Sequence, residues 1–105
     1  MSKKIDVSFI TINYNSTTHT IELLESIFKH TSTDYEVIVV DNASTCNELN
    51  MLEQFCNKYE QVTIVKNRVN SGFASGNMLG INYANAEYYF FINNDTKLLN
   101  NCASI

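Results

Sequence analysis

Three short polar segments carry the side chains of this sequence that could bind a metal ion or a small ligand. Asn13-Tyr14-Asn15, Asp41-Asn42 and Asn93-Asn94-Asp95 each follow a run of apolar residues. Their amides donate and accept hydrogen bonds, and a carboxylate such as that of Asp95 is an oxygen ligand for Mg²⁺. The same residue types also form turns and helix caps, so each segment taken alone is explained equally well as a turn.

The apolar runs before these segments predict buried strands. Residues 37–40 and 88–92 are apolar on both faces, which is typical of a parallel strand covered by helices on each side. Between the runs, apolar residues recur at the spacing of a helix. The predicted elements are strands at residues 6–12, 35–40, 62–66 and from about 87, and helices at 17–30, 45–59 and up to about 85.

This alternation of strands and helices predicts one α/β domain over residues 1–105, with three layers and a mainly parallel sheet. The carboxyl ends of parallel strands share one edge, and open sheets bind ligands beyond that edge. The three polar segments therefore converge there with residues 70–77, which follow the third strand, and this convergence favours a small-molecule site. The residues expected to be fully buried are Phe9, Ile10, Ile38, Val40, Phe90 and Ile92.

All three glycines of the chain lie after the third predicted strand. Gly72, Gly76 and Gly80 are spaced by four, which places them on one stripe of a helix. A glycine inside a helix costs about 1 kcal/mol relative to alanine, so the stripe indicates a close approach to the backbone. Two explanations stay open: a ligand approaches the stripe, or the helix packs tightly on the sheet.

Composition excludes several classes of protein. The 105 residues, 45% of them hydrophobic, suffice for one small domain. The net charge is −4 and basic residues do not cluster beyond Lys3-Lys4, which disfavours a nucleic-acid-binding face. Three cysteines without a Cys-x-x-Cys motif indicate reduced thiols and a cytoplasmic protein, with Cys56 in the core. No apolar run is long enough to span a membrane.

Familiar nucleotide-binding and catalytic motifs do not explain the polar segments. The first strand is followed neither by Gly-x-Gly-x-x-Gly nor by a P-loop sequence, and it lacks the acidic pair of a receiver domain. His19 and His30 lie on or near the first predicted helix, where we expect surface or capping histidines and not catalytic ones. Ser44 and Ser75 have no evident base partner, so a hydrolase triad has little support.

Four blocks of the sequence together resemble the amino-terminal half of family 2 glycosyltransferases, which have the GT-A fold. The blocks are ITINYN, VVDNAS, NSGFASGN and FINNDT, at residues 10–15, 39–44, 70–77 and 91–96. The similarity is greatest to the rhamnosyltransferase-like branch. It implies strand order 3-2-1-4 and an inverting enzyme of polysaccharide and cell-wall synthesis. Such an enzyme transfers a hexosyl or rhamnosyl group from a UDP- or dTDP-linked donor to a saccharide or lipid-linked acceptor.

The resemblance also implies roles for residues in the first two blocks. Asn13, Tyr14 and Asn15 would line the nucleobase pocket, partly through their backbone. Asp41 would form a hydrogen bond with the base or the ribose. The resemblance also implies a cytoplasmic enzyme, which works in the cytoplasm or at the cytoplasmic face of the membrane. We expect no transmembrane segment in these residues.

The last two blocks would contact the donor sugar and the diphosphate. The substrate-binding positions implied there are Asn70, Gly72, Asn77 and Asn94. Asp95 matches the final Asp of the family's Asp-x-Asp region, which binds Mg²⁺ or Mn²⁺ on the diphosphate. The first acidic position of that region is Asn93 in this chain, so metal binding would rest on Asp95.

The resemblance assigns no catalytic residue within these 105 residues. The family places its general base and its acceptor site further along the chain, so we expect a donor-binding half that binds a nucleotide sugar without transferring it. The missing half would leave an apolar sheet edge exposed and favour self-association. Two alternatives stay open: a non-catalytic nucleotide-binding or interaction module, and an α/β domain whose polar strand ends are only turns.

Overall fold

Four parallel strands form one sheet, and a computed structural model of the chain describes residues 5–31, 34–67, 80–86 and 88–93. In chain order the elements are β1 (Val7–Asn13), α1 (Thr17–His30), β2 (Tyr35–Asn42), α2 (Cys46–Cys56), β3 (Val62–Asn67) and β4 (Tyr88–Phe91). The order across the sheet is β3-β2-β1-β4, and each neighbouring pair is parallel. The predicted fold class, parallel pairing and strand order are confirmed.

One face of the sheet is covered by α1 and α2. The helical repeat places the apolar residues of α1 on one stripe, and full burial of each such side chain stabilises the fold by about 1.5–3 kcal/mol. Phe28 of α1 and Tyr59, which follows α2, pack with ring centroids 4.4 Å apart and so join the two helices. The residues buried without exposed surface between sheet and helices are Phe9, Leu23, Leu24, Ile27, Val37, Val39 and Leu52.

The opposite face of the sheet is approached by the end of a helix at Gly80 and Ile81. A Cβ atom added to Gly80 would lie 2.6 Å from Cγ2 of Ile10 and 3.3 Å from Cγ2 of Val40. Both of these side chains are fully buried, so the helix can come this close only with glycine at residue 80. Tight packing on the sheet therefore explains Gly80, whereas Gly72 and Gly76 lie outside the described residues.

β1 and β2 extend further toward the carboxyl edge of the sheet than predicted. They continue to Asn13 and Asn42, and Asn13 pairs with Asp41 in the strand register. These three residues are thus buried strand residues, not loop residues as the sequence suggested. α2 ends at Cys56, earlier than predicted. Cys56 lies in the core as expected, and burial raises the pKa of its thiol to about 11.

β4 is the outermost described strand on its side of the sheet and is less buried than predicted. Tyr88, Tyr89 and Phe91 are 55%, 45% and 43% exposed. The prediction of full burial is wrong for Phe90, which is only partly buried, because an outer strand has a neighbouring strand on one side only. Ile92 and the other four residues of that prediction are buried. Self-association through the exposed aromatic surface stays a prediction.

Replacing Gly80 with alanine is expected to lower the free energy of unfolding by about 1 kcal/mol. Overpacking a buried contact typically costs about 1–3 kcal/mol, and the higher helix propensity of alanine offsets about 1 kcal/mol. Urea unfolding would measure the change. The matched control is Asn82→Ala, at an exposed position in the following turn, which should change stability by less than about 0.5 kcal/mol. A Gly80→Ala variant as stable as the parent would contradict the packing explanation.

Candidate functional site

The side chain of Asn13 is the centre of a buried hydrogen-bond network at the carboxyl edge of the sheet. It has no exposed surface. Its Nδ2 donates to Oδ1 of Asp41 at 3.0 Å and to Oγ1 of Thr17 at 3.2 Å, and its Oδ1 accepts from Oγ1 of Thr20 at 2.7 Å. These bonds join β1, β2 and α1 at one point. Because the fold uses the amide of Asn13, any contact of this residue with a ligand would run through its backbone.

Asp41 lies beside Asn13 and is also held by the chain. The residue is 2% exposed, and its Oδ2 accepts from the backbone N–H of Ser44 at 3.2 Å. Both carboxylate oxygens therefore have protein partners, which compensate in part for the loss of water around the charge. This arrangement fixes the orientation of the carboxylate at the end of β2, where the sequence predicted a contact with a base or a ribose.

The loop after β1 and the loop after β2 are joined directly. The backbone N–H of Asn15 donates to Oγ of Ser44 at 2.9 Å, and the backbone N–H of Thr45 donates to Oδ1 of Asn15 at 2.8 Å. Each loop contains one residue with a positive φ angle, 48° at Asn15 and 65° at Ala43. Tyr14, at the tip of the first loop, is 50% exposed. The two loops form a single surface with one accessible aromatic ring.

The first turn of α1 is held by α2. Oε1 of Glu48 accepts from the backbone N–H of Thr17 at 3.0 Å, and Oγ1 of Thr17 donates to the carbonyl oxygen of Glu48 at 3.0 Å. A carboxylate at the N-terminus of a helix is favoured by the helix dipole. Thr45 and Glu48 have the spacing of a capping box, but the box is only half formed. Oγ1 of Thr45 accepts from the Glu48 N–H at 3.5 Å, whereas the Glu48 carboxylate binds the N–H of Thr17 in α1.

β4 delivers the end of the described chain to the same edge. Its register places Phe91 opposite Ile10, and the N–H of Ile92 donates to the carbonyl oxygen of Ile10 at 3.0 Å. Neighbouring strands lie about 4.8 Å apart. The described chain thus reaches Asn93 near the carboxyl end of β1. The convergence predicted for the polar segments is seen for those that the structure describes.

Five of the predicted site residues lie outside the described residues: Asn70, Gly72, Asn77, Asn94 and Asp95. Within the described ranges, no group of three or more His, Cys, Asp or Glu side chains could hold a metal ion. The two oxygens of Asp41 are already bonded to Asn13 and Ser44. The metal role of Asp95 stays a prediction.

A cavity of about 430 Å³ lies at the opposite, amino-terminal edge of the sheet. Its lining includes the carboxylates of Asp34, Glu36 and Glu60, which would repel an anionic ligand. Glu36 is 7% exposed and accepts hydrogen bonds from the hydroxyl of Ser8 and from the backbone N–H of Asn85 at 2.6 Å. Its carboxylate fastens the segment before β4 to the sheet, and the candidate site stays at the carboxyl edge.

Sequence reasoning missed two residues of the site. Ser44 was considered as a nucleophile and Glu48 was given no role in the site, yet both bind residues about 30 positions earlier in the chain. The available signal was the pairing of polar segments after β1 and β2, because neighbouring parallel strands place the following loops side by side.

The fold defines the class of this protein: the described sheet and helices are those of GT-A glycosyltransferases. The profile of the family described as "Glycosyl transferase family 2" matches residues 8–103, and the chain belongs to this family. The resemblance seen in the four sequence blocks is confirmed. A poly(ribitol-phosphate) beta-glucosyltransferase of Bacillus spizizenii is 36% identical over 92 residues, which cover 85% of this chain and 14% of the relative.

Two solved structures show the same fold. TarS residues 1–349 of S. aureus, in complex with UDP-GlcNAc, superposes with a TM-score of 0.76 at 28% identity, covering 87% of this chain and 27% of TarS 1–349. The mannosyltransferase PcManGT of Pyrobaculum calidifontis, in complex with GDP-Man and Mn²⁺, gives a TM-score of 0.82 at 22% identity, covering 93% and 30%. The chain thus spans less than a third of each. Within the described ranges, no helix combines the length and apolar character needed to cross a bilayer.

Asn13 and Tyr14 should respond to mutation in opposite ways. Asn13→Ala leaves the buried groups of Asp41 and Thr20 without their partner, and is expected to lower the free energy of unfolding by at least about 2 kcal/mol. Tyr14→Ala removes a half-exposed ring and should change stability by less than about 0.5 kcal/mol. Urea unfolding followed by circular dichroism compares the two variants. An Asn13→Ala variant of unchanged stability would refute the central role of this amide.

Proposed function

We propose that this chain binds the nucleotide diphosphate part of a sugar donor for an inverting family 2 glycosyltransferase. The observation that carries the proposal is the carboxyl edge, where the loops after β1 and β2 are joined and where β4, on the other side of β1, also ends. Family membership supplies the reaction class, which is transfer of a sugar. The edge supplies a fixed carboxylate and an accessible aromatic ring, which together suit a nucleobase and its ribose.

The base would lie against the surface formed by the loops after β1 and β2. Tyr14 offers an aromatic face, and stacking of a base on such a ring typically contributes about 1–3 kcal/mol. Asn13 and Asn15 would contribute backbone groups beside it. The Asp41 carboxylate accepts hydrogen bonds, and both a base N–H and a ribose hydroxyl can donate one. In support, the TarS structure contains UDP-GlcNAc.

Asp41→Ala is expected to weaken binding of uridine or guanosine diphosphate by about 1–3 kcal/mol, the range for an unpaired polar partner. The loss should be equal with and without Mn²⁺, because the proposed contact is to the base or the ribose. Titration calorimetry would measure it. A loss seen only with Mn²⁺ present would make Asp41 a metal-site residue instead.

The matched control for Asp41 is Glu36→Gln. Glu36 is a second buried carboxylate of β2, at the other end of the strand. Its replacement should destabilise the fold while leaving nucleotide affinity unchanged at a temperature where the variant is folded. Equal losses of affinity in both variants would indicate a general effect of stability, not a contact at Asp41.

The diphosphate would be bound together with a divalent metal ion, Mg²⁺ or Mn²⁺, held by Asp95. In support, β4 runs parallel to β1, so the described chain reaches Asn93, two residues before Asp95, at the carboxyl edge of the sheet. A metal ion in that position would neutralise charge on the leaving diphosphate. Asn70, Gly72, Asn77 and Asn94 complete the proposed donor site on the strength of the family blocks.

Asp95→Asn is expected to abolish the Mn²⁺-dependent part of nucleoside diphosphate binding and to preserve the metal-free part. One carboxylate with amide neighbours does not offset the dehydration of Mg²⁺ or Mn²⁺, so phosphate oxygens must complete the coordination shell. Calorimetric titrations at several Mn²⁺ concentrations give the two parts separately. The control is Asp34→Asn, at an exposed position at the opposite edge, which should keep full Mn²⁺ dependence. An Asp95→Asn variant that keeps it too would overturn the metal assignment.

The acceptor is proposed to be a saccharide or a lipid-linked saccharide of cell-wall or other polysaccharide synthesis in the cytoplasm, with hexosyl or rhamnosyl transfer. The support is the poly(ribitol-phosphate) glucosyltransferase among the relatives. Because the chain spans only 14% of that relative, we propose that residues 1–105 alone bind the donor without transferring its sugar. Acceptor-dependent transfer by these residues alone would contradict this. The alternative function is a non-catalytic nucleotide-binding module. Binding of the donor by a protein that transfers no sugar even at its full length would favour this alternative.

A further inference from the structure

We propose that Ser44 and Asn15 are positioning residues, which lock the loops after β1 and β2 into one base-binding surface before any ligand arrives. This inference rests on the proposed function and extends it to two residues that act through Tyr14. We call the group of Asn15, Ser44 and Thr45 the loop clamp. Its bonds run in both directions between the loops, so neither loop can move without breaking the other's contacts.

Ser44 makes the larger number of these contacts. Its Oγ accepts from the backbone N–H of Asn15 at 2.9 Å and from Nδ2 of Asn13 at 3.5 Å, and its hydroxyl lies 3.4 Å from the carbonyl oxygen of Asn13, to which it can donate. Its own backbone N–H donates to Oδ2 of Asp41 at 3.2 Å. One serine therefore fixes the peptide groups on both sides of Tyr14 and the carboxylate proposed to bind the base.

Asn15 returns the connection from the first loop to the second. Its Oδ1 accepts from the backbone N–H of Thr45, which is the N-cap residue of α2, at 2.8 Å. An asparagine side chain supplies this acceptor while its own backbone takes a φ of 48°, a conformation that asparagine adopts more readily than most residues. The predicted role of Asn15 as a residue that lines the base pocket is thereby refined: its side chain is committed to the neighbouring loop.

The clamp has a consequence for affinity. Loops that are free before binding must be ordered when a ligand binds, and this ordering weakens the observed affinity. The clamp orders both loops during folding, so the backbone that carries Tyr14 and the carboxylate of Asp41 are held at a fixed separation in the free protein. Loss of the clamp should weaken recognition of the base and leave recognition of the diphosphate and metal intact, since those groups would be bound by other blocks.

The test compares the unmutated chain with Ser44→Ala, Ser44→Thr and Ser26→Ala. Ser44→Thr keeps the hydroxyl, and Ser26→Ala removes a serine of α1 whose hydroxyl donates to the carbonyl oxygen of Leu23, remote from the loops. The titrants are uridine diphosphate, guanosine diphosphate and inorganic pyrophosphate, each with Mn²⁺. Ser44→Ala should weaken binding of the preferred nucleotide about three- to tenfold, as expected for one or two lost hydrogen bonds. Pyrophosphate binding should not change, and the other two variants should match the unmutated chain.

Amide hydrogen exchange tests the clamp without a ligand. The N–H groups of Asn15 and Thr45 should exchange slowly in the free protein, although both residues are exposed, because each is hydrogen-bonded. Ser44→Ala should accelerate exchange at Asn15, and Asn15→Ala should accelerate it at Thr45. Unchanged exchange rates would overturn the clamp, and an equal loss of nucleotide and pyrophosphate binding would overturn its positioning role. If the unmutated chain binds neither nucleotide, the proposed function fails, and exchange still decides whether the clamp exists.

Discussion

The buried amide of Asn13 is the interaction on which the carboxyl edge of this protein depends. A side chain with no exposed surface must satisfy its donors and acceptors inside the chain, and Asn13 does so by binding β2 and α1 at once. A carboxylate in the same place would add a second negative charge beside Asp41. An apolar residue would remove the donor to Oδ1 of Asp41 and the acceptor for the Thr20 hydroxyl. The amide provides both groups at once.

The two ends of the sheet are built in the same way but for different purposes. At the carboxyl end Asn13 lies opposite Asp41 in the register of β1 and β2, and at the amino end Ser8 lies opposite Glu36. Each pair is a buried hydrogen bond between a neutral donor and a carboxylate. The pair at the amino end fastens the segment that leads into β4. The pair at the carboxyl end fixes the loops after β1 and β2, which carry the half-exposed Tyr14.

Packing on the two faces of the sheet holds the strands, and therefore the buried pairs at both of their ends, in place. The face beneath α1 and α2 is filled by apolar side chains from both helices, and the opposite face admits the backbone of Gly80 to within contact of Ile10. The outer strand β4 shares the first core through Phe90, whose ring centroid lies 5.3 Å from that of Phe9, yet it leaves three neighbouring aromatic residues exposed.

The sequence by itself determined the class of fold, the strand order and which polar segments converge at the carboxyl edge. The spacing of apolar residues, the strand lengths and the four family blocks, from which these were predicted, are local properties of the chain. The sequence also predicted that Asn13 and Asp41 lie together at the carboxyl edge of the sheet. Only the tertiary structure decided that these two side chains bind each other, that Ser44 and Asn15 join separate loops, and that Glu48 caps α1. Those outcomes depend on contacts between residues about 30 positions apart. Which donor meets which acceptor across neighbouring strands follows from register and burial, and these are set by the packed sheet as a whole.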